Sequence, residues 1–240
     1  MIKDGERTDD LEYKGLRILQ HPDGYCFTSD SVLLANLCRI KKGDLVCDLC
    51  TGSGVVALLA SAKYDPKKVV GVEIQPRLAD MAKRSVKLNG YEERVEIVCA
   101  PVQGVENVLG HGSFDVVLCN PPYAPAEKKA EYTEEEICKS EAKLTLEETI
   151  SSAKKLLKFG GSFFMVHKAY RLTDAVCLMR QNHIEPKKLW LIQPKKSKDV
   201  DSFVIEGKKY GKPSLLVPSP IVVYNEDGSY TEQARRIYGK

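Results

Sequence analysis

Short apolar runs alternate with amphipathic stretches through most of the chain. Leu45-Val-Cys-Asp-Leu49 is an apolar run ending in a glycine-rich turn, and Val55 to Lys63 then carries the small apolar content of a buried helix. Lys68-Val-Val-Gly-Val72 reads as the next strand. Pro76 opens a helix where its missing N–H costs nothing, and Leu78, Met81, Ala82, Ser85, Val86 and Asn89 mark that helix until Gly90 ends it. Val95–Cys99 and Phe114–Cys119 supply a third and a fourth strand. Leu144 to Lys158 is amphipathic, with Leu146, Ile150, Ala153 and Leu157 on one face, and Gly160-Gly161 separates it from the strand Ser162–Val166. Strands alternating with helices at this spacing predict a parallel sheet covered on both faces.

The ends are less regular. Thr28-Ser29-Asp30 offers caps for a helix through Val32, Leu33, Leu34, Leu37 and Cys38. Beyond the periodic region lie a helix near Thr173–Asn182, strands near Lys188–Gln193 and Ser202–Glu206, a proline-punctuated stretch from Lys212 to Pro220 and a turn at Asn225–Gly228. A length of 240 residues with 43% hydrophobic and 29% charged positions provides for a sizeable core and excludes a mini-protein or a disordered chain. The longest nearly uncharged stretch, Leu45 to Ala62, is broken by Asp48 and the polar turn, so it does not read as a membrane span. The charged start, Met1 to Asp10, lacks the apolar core of a secretory leader, and a cytoplasmic protein is expected.

Eight cysteines, mostly inside apolar runs, read as reduced core thiols. Cys47 and Cys50 have the spacing of a dithiol, but no second pair exists to complete a zinc site. The net charge of +3 is unevenly placed, with 11 Lys/Arg against 6 Asp/Glu from Lys187 onward. Such an excess is either a phosphate-contacting face or a solvated lysine-rich surface.

Two motifs carry chemistry. Asp48-Leu-Cys-Thr-Gly-Ser-Gly54 sits between a strand and a helix, where backbone N–H groups face a ligand over the carboxyl edge of a sheet. Gly52, Gly54 and Ala57 also satisfy a dinucleotide pattern, so NAD must be weighed. A carboxylate at Asp48 repels a pyrophosphate and attracts the ammonium and sulfonium of S-adenosylmethionine. Glu73, at the end of the second strand, is placed to accept both ribose hydroxyls, which makes Asp48, Thr51, Gly52, Gly54 and Glu73 candidate cofactor residues. The second motif, Asn120-Pro121-Pro122-Tyr123, follows the fourth strand and lies at the same edge. An exocyclic adenine amine is a poor nucleophile, and two acceptors holding its hydrogens favour a pyramidal nitrogen aimed at a methyl donor. The Asn120 side-chain oxygen and the Pro121 carbonyl are those acceptors, Pro121 and Pro122 stiffen the turn, and Tyr123 can stack on a flat target ring.

Together these residues resemble the class I methyltransferases with an NPPY motif, and among them the tRNA1(Val) (adenine(37)-N6)-methyltransferase family. The likeness covers nearly the whole chain: Gln20–Asp30 with Val32–Ala35, Asp48–Gly54, Gly71–Gln75, Asn120–Tyr123, Gly160-Gly161, Gly211–Pro213, Tyr224–Gly228 and Tyr230-Thr231. The resemblance implies a Rossmann-like α/β fold, with a seven-stranded, mostly parallel sheet and an antiparallel C-terminal edge. A short N-terminal helical cap would span residues 1–43, and the methyltransferase domain residues 44–240. It implies S-adenosylmethionine as cofactor, with Tyr25 and Phe27 close to it, Ile74 and Gln75 beside it and Asn120 among the cofactor contacts as well, and an RNA substrate, with neither a membrane nor a metal ion. Three positions depart from the family: Cys50 replaces the first glycine of the loop, Ala100-Pro101 replaces an acid after the third strand, and Lys139-Ser140-Glu141 differs on the target side. The segment Glu127–Lys143 reads as a target-side loop or a surface connection. The tetrapeptide is shared with protein glutamine N5-methyltransferases and DNA adenine methyltransferases, and a non-catalytic RNA-binding protein on the same fold is the alternative outside enzymes.

Overall fold

A computed structural model describes residues 2–24, 26–127 and 129–239. Tyr25, a candidate cofactor residue, lies outside the described residues. The central element is an eight-stranded sheet in the order β10-β8-β9-β7-β6-β3-β4-β5. Its parallel half is formed by β3 (Leu45–Leu49), β4 (Lys68–Glu73), β5 (Val95–Cys99), β6 (Phe114–Cys119) and β7 (Leu157–Lys168). β8 (Ile184–Lys195) and β9 (Ser202–Lys209) follow, and β10 (Ile221–Tyr224) closes the edge. Two helices on one face are α2 (Val55–Tyr64) and α3 (Pro76–Leu88), joined there by α1 (Ser29–Leu37) and α8 (Glu232–Tyr238). The other face carries α4 (Glu106–Leu109), α6 (Leu146–Leu156) and α7 (Leu172–Gln181).

The strands are buried on both sides, and their side chains alternate between two cores, as the period of two requires. Along β7, Phe163 and Met165 enter one core while Phe164 and Val166 enter the other. Continuous apolar runs, rather than alternating ones, are therefore what the sequence shows for these strands.

Three features differ from the sequence expectation. The sheet has eight strands, not seven, because Ile221-Val-Val-Tyr224 adds to β8. The antiparallel member is not at the edge: β9 pairs antiparallel with both β7 and β8, and the edge strand β10 runs parallel to β8. The N-terminal segment is not wholly helical; β1 (Arg7–Asp10) and β2 (Arg17–Gln20) form an antiparallel hairpin before α1. That hairpin is fixed to α3, where Ser85 Oγ accepts from the Leu19 N–H at 3.0 Å and Arg84 pairs with Glu6 at 2.5 Å.

The cysteine expectation holds in part. Cys38, Cys47 and Cys119 are buried, whereas Cys99 and Cys177 are exposed and all eight are free thiols. Among the described residues no helix is long and apolar enough to cross a membrane, and no cluster of His, Cys, Asp or Glu could hold a metal ion.

Candidate active site

A cavity of about 740 Å³, counted to its open mouth, lies over the carboxyl ends of β3, β4 and β6. The turn after β3 builds its floor. Cys50 takes a left-handed conformation at φ 58°, Gly52 at φ 56° and Gly54 at φ 95°, so the chain turns sharply into α2. For the two glycines this conformation costs nothing sterically, while Cys50 bears the strain of a side chain there. The Thr51 N–H donates to the Val72 carbonyl at 2.9 Å, and the Thr51 hydroxyl donates to Asp48 Oδ2 at 2.6 Å. Gly71 makes room for this: a Cβ there would come within 2.9 Å of Thr51 Oγ1.

Glu73 joins the two sides of the cavity. One carboxylate oxygen accepts from the Gly52 N–H at 2.9 Å and the other from the Gln75 N–H at 2.9 Å. Burial raises its pKa, and the two backbone donors work against that rise. Each oxygen keeps a lone pair for a ligand hydroxyl. Asp48 lies beneath the turn, 1% exposed and off the cavity wall, and burial pushes its carboxyl up to about 7. Gly54 is likewise behind the wall, as the cap of α2.

Of the other candidates, Phe27, Thr51, Gly52, Ile74, Gln75, Asn120 and Pro122 line the cavity together with Glu73. Phe27 is positioned through its N–H, which donates to the buried Gln20 Oε1 at 3.0 Å. Pro121 and Tyr123 flank the cavity without lining it. Asn120 Nδ2 donates to Ser31 Oγ at 3.0 Å, which fixes the amide plane, while its Oδ1 is buried with no partner among the described residues. The Tyr123 ring meets the His167 ring edge-on at 5.7 Å, and Lys168 Nζ lies 5.3 Å from its centre. Burial, reinforced by Arg171, lowers the His167 pKa to about 4 and keeps the imidazole neutral.

Sequence reasoning missed one wall of the cavity. The segment after the tetrapeptide is not a plain loop: it contains α5 (Glu134–Lys139), opened by a reciprocal Thr133–Glu136 capping box. Ile137 and Cys138 of α5, then Lys143 and Leu144, line the cavity with Val102 and Gln103. Gln75 Nε2 donates to Cys138 Sγ at 3.0 Å, and Arg77 grips Glu134 through two bonds of 2.7 and 2.6 Å. The Thr-Glu-Glu-Glu string at 133–136 is the available signal for this helix. Ser31 has none, because its role depends on α1 crossing the end of β6.

The family model described as methyltransferase small domain matches residues 27–182, more than half of the chain. A putative protein N5-glutamine methyltransferase of Methanocaldococcus jannaschii is 39% identical over 116 residues, or 48% of this chain and 55% of that protein. A tRNA1(Val) (adenine(37)-N6)-methyltransferase of Porphyromonas gingivalis is 27% identical over 129 residues, 53% of this chain and 51% of that one. The enzyme of the same name from Aliivibrio salmonicida is 20% identical over 205 residues, covering 85% of this chain and 86% of that protein. The chain spans about half the length of the first two of these relatives. Among solved structures, a predicted O-methyltransferase of Agrobacterium tumefaciens superposes with a TM-score of 0.72 at 20% identity, over 88% of this chain and 95% of that one. A geranyl diphosphate methyltransferase in complex with SAM gives 0.55 at 13% identity, over 75% and 84%. Both show the fold.

Proposed function

Since the chain belongs to the methyltransferase small domain family, whose methyl donor is S-adenosylmethionine, we propose that it methylates the exocyclic N6 amine of an adenosine in RNA, at position 37 of a tRNA anticodon loop. The cavity suits that donor. Its floor offers the Glu73 carboxylate to ribose hydroxyls, Val102, Ile74 and Leu144 offer apolar surface to a flat ring, and the glycine turn carries no Lys or Arg that would call for a phosphate. The donor supplies, when bound, a methyl group on a positively charged sulfur.

The observation that carries the reading is the buried, unpartnered Asn120 Oδ1. A buried acceptor without a donor is costly, by about 1–3 kcal/mol, and the natural relief is a ligand N–H. Ser31 holds the amide so that this oxygen cannot rotate away. An exocyclic amine hydrogen-bonded there, with its ring against Tyr123, is oriented for attack without a strong base, since its proton is lost readily after methylation. A loop base is reachable without opening a duplex. The A. salmonicida relative, which covers 85% of this chain at 20% identity, bears the name of a tRNA adenine enzyme.

A second reading, methylation of a glutamine amide in a protein, is favoured by the higher identity to the M. jannaschii relative over its shorter span. The same Asn120 acceptor serves an amide nitrogen. The two are separated by methyl transfer to unmodified tRNA under single-turnover conditions, with nucleosides identified by mass spectrometry. Methylated adenosine is expected, and Asn120→Ala should reduce turnover at least about a hundredfold, the scale of one lost transition-state hydrogen bond, with cofactor affinity little changed. Label appearing in protein glutamine, or full RNA activity in the variant, would remove the RNA reading or its mechanism respectively.

A further inference from the structure

We infer that the exposed ring of Tyr170 is a platform for the nucleotide adjoining the target base, so that the RNA strand leaves the site over Tyr170 toward the lysine turn between β8 and β9. This rests on the RNA reading above and specifies its substrate as a single strand with a stacked neighbour.

Tyr170 lies on the 3₁₀ turn Ala169–Arg171, directly after β7. It is 63% exposed, yet its hydroxyl donates to the Tyr123 carbonyl at 2.6 Å. The tip of the side chain is thus tied to the tetrapeptide while most of the residue remains open to solvent. A ring already held in place loses little further freedom when a base stacks on it.

The Ala169 N–H donates to the Asp201 carbonyl at 2.9 Å, and the Asp201 N–H donates to the Ile192 carbonyl at 3.0 Å. Lys168 Nζ reaches Asp201 Oδ2 at 2.7 Å. These bonds fasten the turn Lys195–Asp201 beside Tyr170. Lys196 and Lys198 are exposed in that turn, and among the described residues no carboxylate pairs with either ammonium group. An aromatic face next to the base-binding tetrapeptide, followed by unpaired cations, is the arrangement by which single strands are held: stacking for the bases and positive charge for the backbone.

The test compares a tRNA anticodon stem-loop with free adenosine as methyl acceptors for the wild type, Tyr170→Ala and Tyr170→Phe. Tyr170→Ala is expected to raise the stem-loop KM about tenfold, the scale of one lost base–aromatic stack, with kcat held within about twofold. Its loss on free adenosine should be smaller than on the stem-loop. Tyr170→Phe, which keeps the ring and loses the anchor, should fall between wild type and Tyr170→Ala, and calorimetric donor affinity reports that both variants are folded. An unchanged stem-loop KM in folded Tyr170→Ala overturns the inference. So does an equal loss on both acceptors, or a fall in kcat alone, since either would mean that Tyr170 only braces Tyr123. If the wild type methylates no RNA at all, the functional reading falls and this inference with it; methylated RNA with an indifferent Tyr170→Ala removes the platform alone.

Discussion

Asp48 illustrates how one residue can be legible in the sequence and still act differently from its expected part. Its position before the glycine turn marks it as a cofactor contact, but the structure places it under the turn, bonded to the Thr51 hydroxyl and raised to about 7, mainly by burial. An acid whose folded pKa lies above its unfolded one binds its proton more tightly in the folded state. Its contribution is therefore most favourable below the ordinary value of 3.8 and is lost as pH rises toward about 7. Relative to Asp48→Asn, the wild type should lose stability by about 1.4 kcal/mol per pH unit through that window, checked by denaturant melts between about pH 5 and pH 8. Parallel stability curves would show that the carboxyl stays ionised throughout. Glu73 and Asn120 are readable because each directly ends or follows a strand, which fixes it to the carboxyl edge of the sheet. Ser31, His167 and Lys168 are not, since only the pairing of β6 with β7 and the packing of α1 bring them beside the tetrapeptide.

At the scale of elements, the helix hidden between tetrapeptide and α6 supplies part of the cavity wall. α5 has no buried residue of its own, so a helix of six residues depends on its capping box and on its bonds to α3 and Gln75. Arg77→Ala should loosen it and weaken donor binding by up to about 1 kcal/mol, the ceiling for a partly exposed ion pair, or roughly fivefold in Kd. Calorimetry on Arg77→Ala, Glu134→Ala and the double variant checks this: additive losses would show that the two side chains act independently, and unchanged donor affinity in all three would uncouple α5 from donor binding. Other elements escape notice for identifiable reasons. Arg7-Thr-Asp-Asp10 has no apolar residue, so β1 shows no strand period and exists through its pairing with β2. For β10, the run Ile221-Val-Val-Tyr224 is a strand signal overshadowed by the prolines before it. α8 opens at Thr231, whose hydroxyl accepts from the Ala234 N–H at 3.1 Å, and Ala234 and Tyr238 bury one face of a helix that reads as mostly charged.

Across the whole molecule, the C-terminal excess of positive charge divides between the two ends of the sheet. β8 carries Lys187 and Lys188 near its start and ends at Lys195, while β9 runs back to Lys208 and Lys209. Lys195, Lys196 and Lys198 therefore lie at the edge that carries the cavity, and Lys187, Lys208 and Lys209 lie at the far edge. Replacing the first three with alanine should weaken RNA binding and reduce the slope of log K against log salt by about 2, at about 0.7 per phosphate contact on a single strand. The same replacement of Lys187 and Lys208 should leave the slope alone, and equal slopes for both sets would make the lysines a solvated surface. The sequence by itself determined the alternation of strands and helices, the glycine turn, Glu73 and the tetrapeptide, because each depends on contacts close along the chain or on a fixed strand-end geometry. Only the tertiary structure decided that β9 lies between β7 and β8, that α5 walls the cavity, that Asp48 is buried rather than lining it, and that Tyr170 reaches Tyr123. Those features arise from pairings between residues far apart in the chain, and no local period or propensity encodes which distant segments meet.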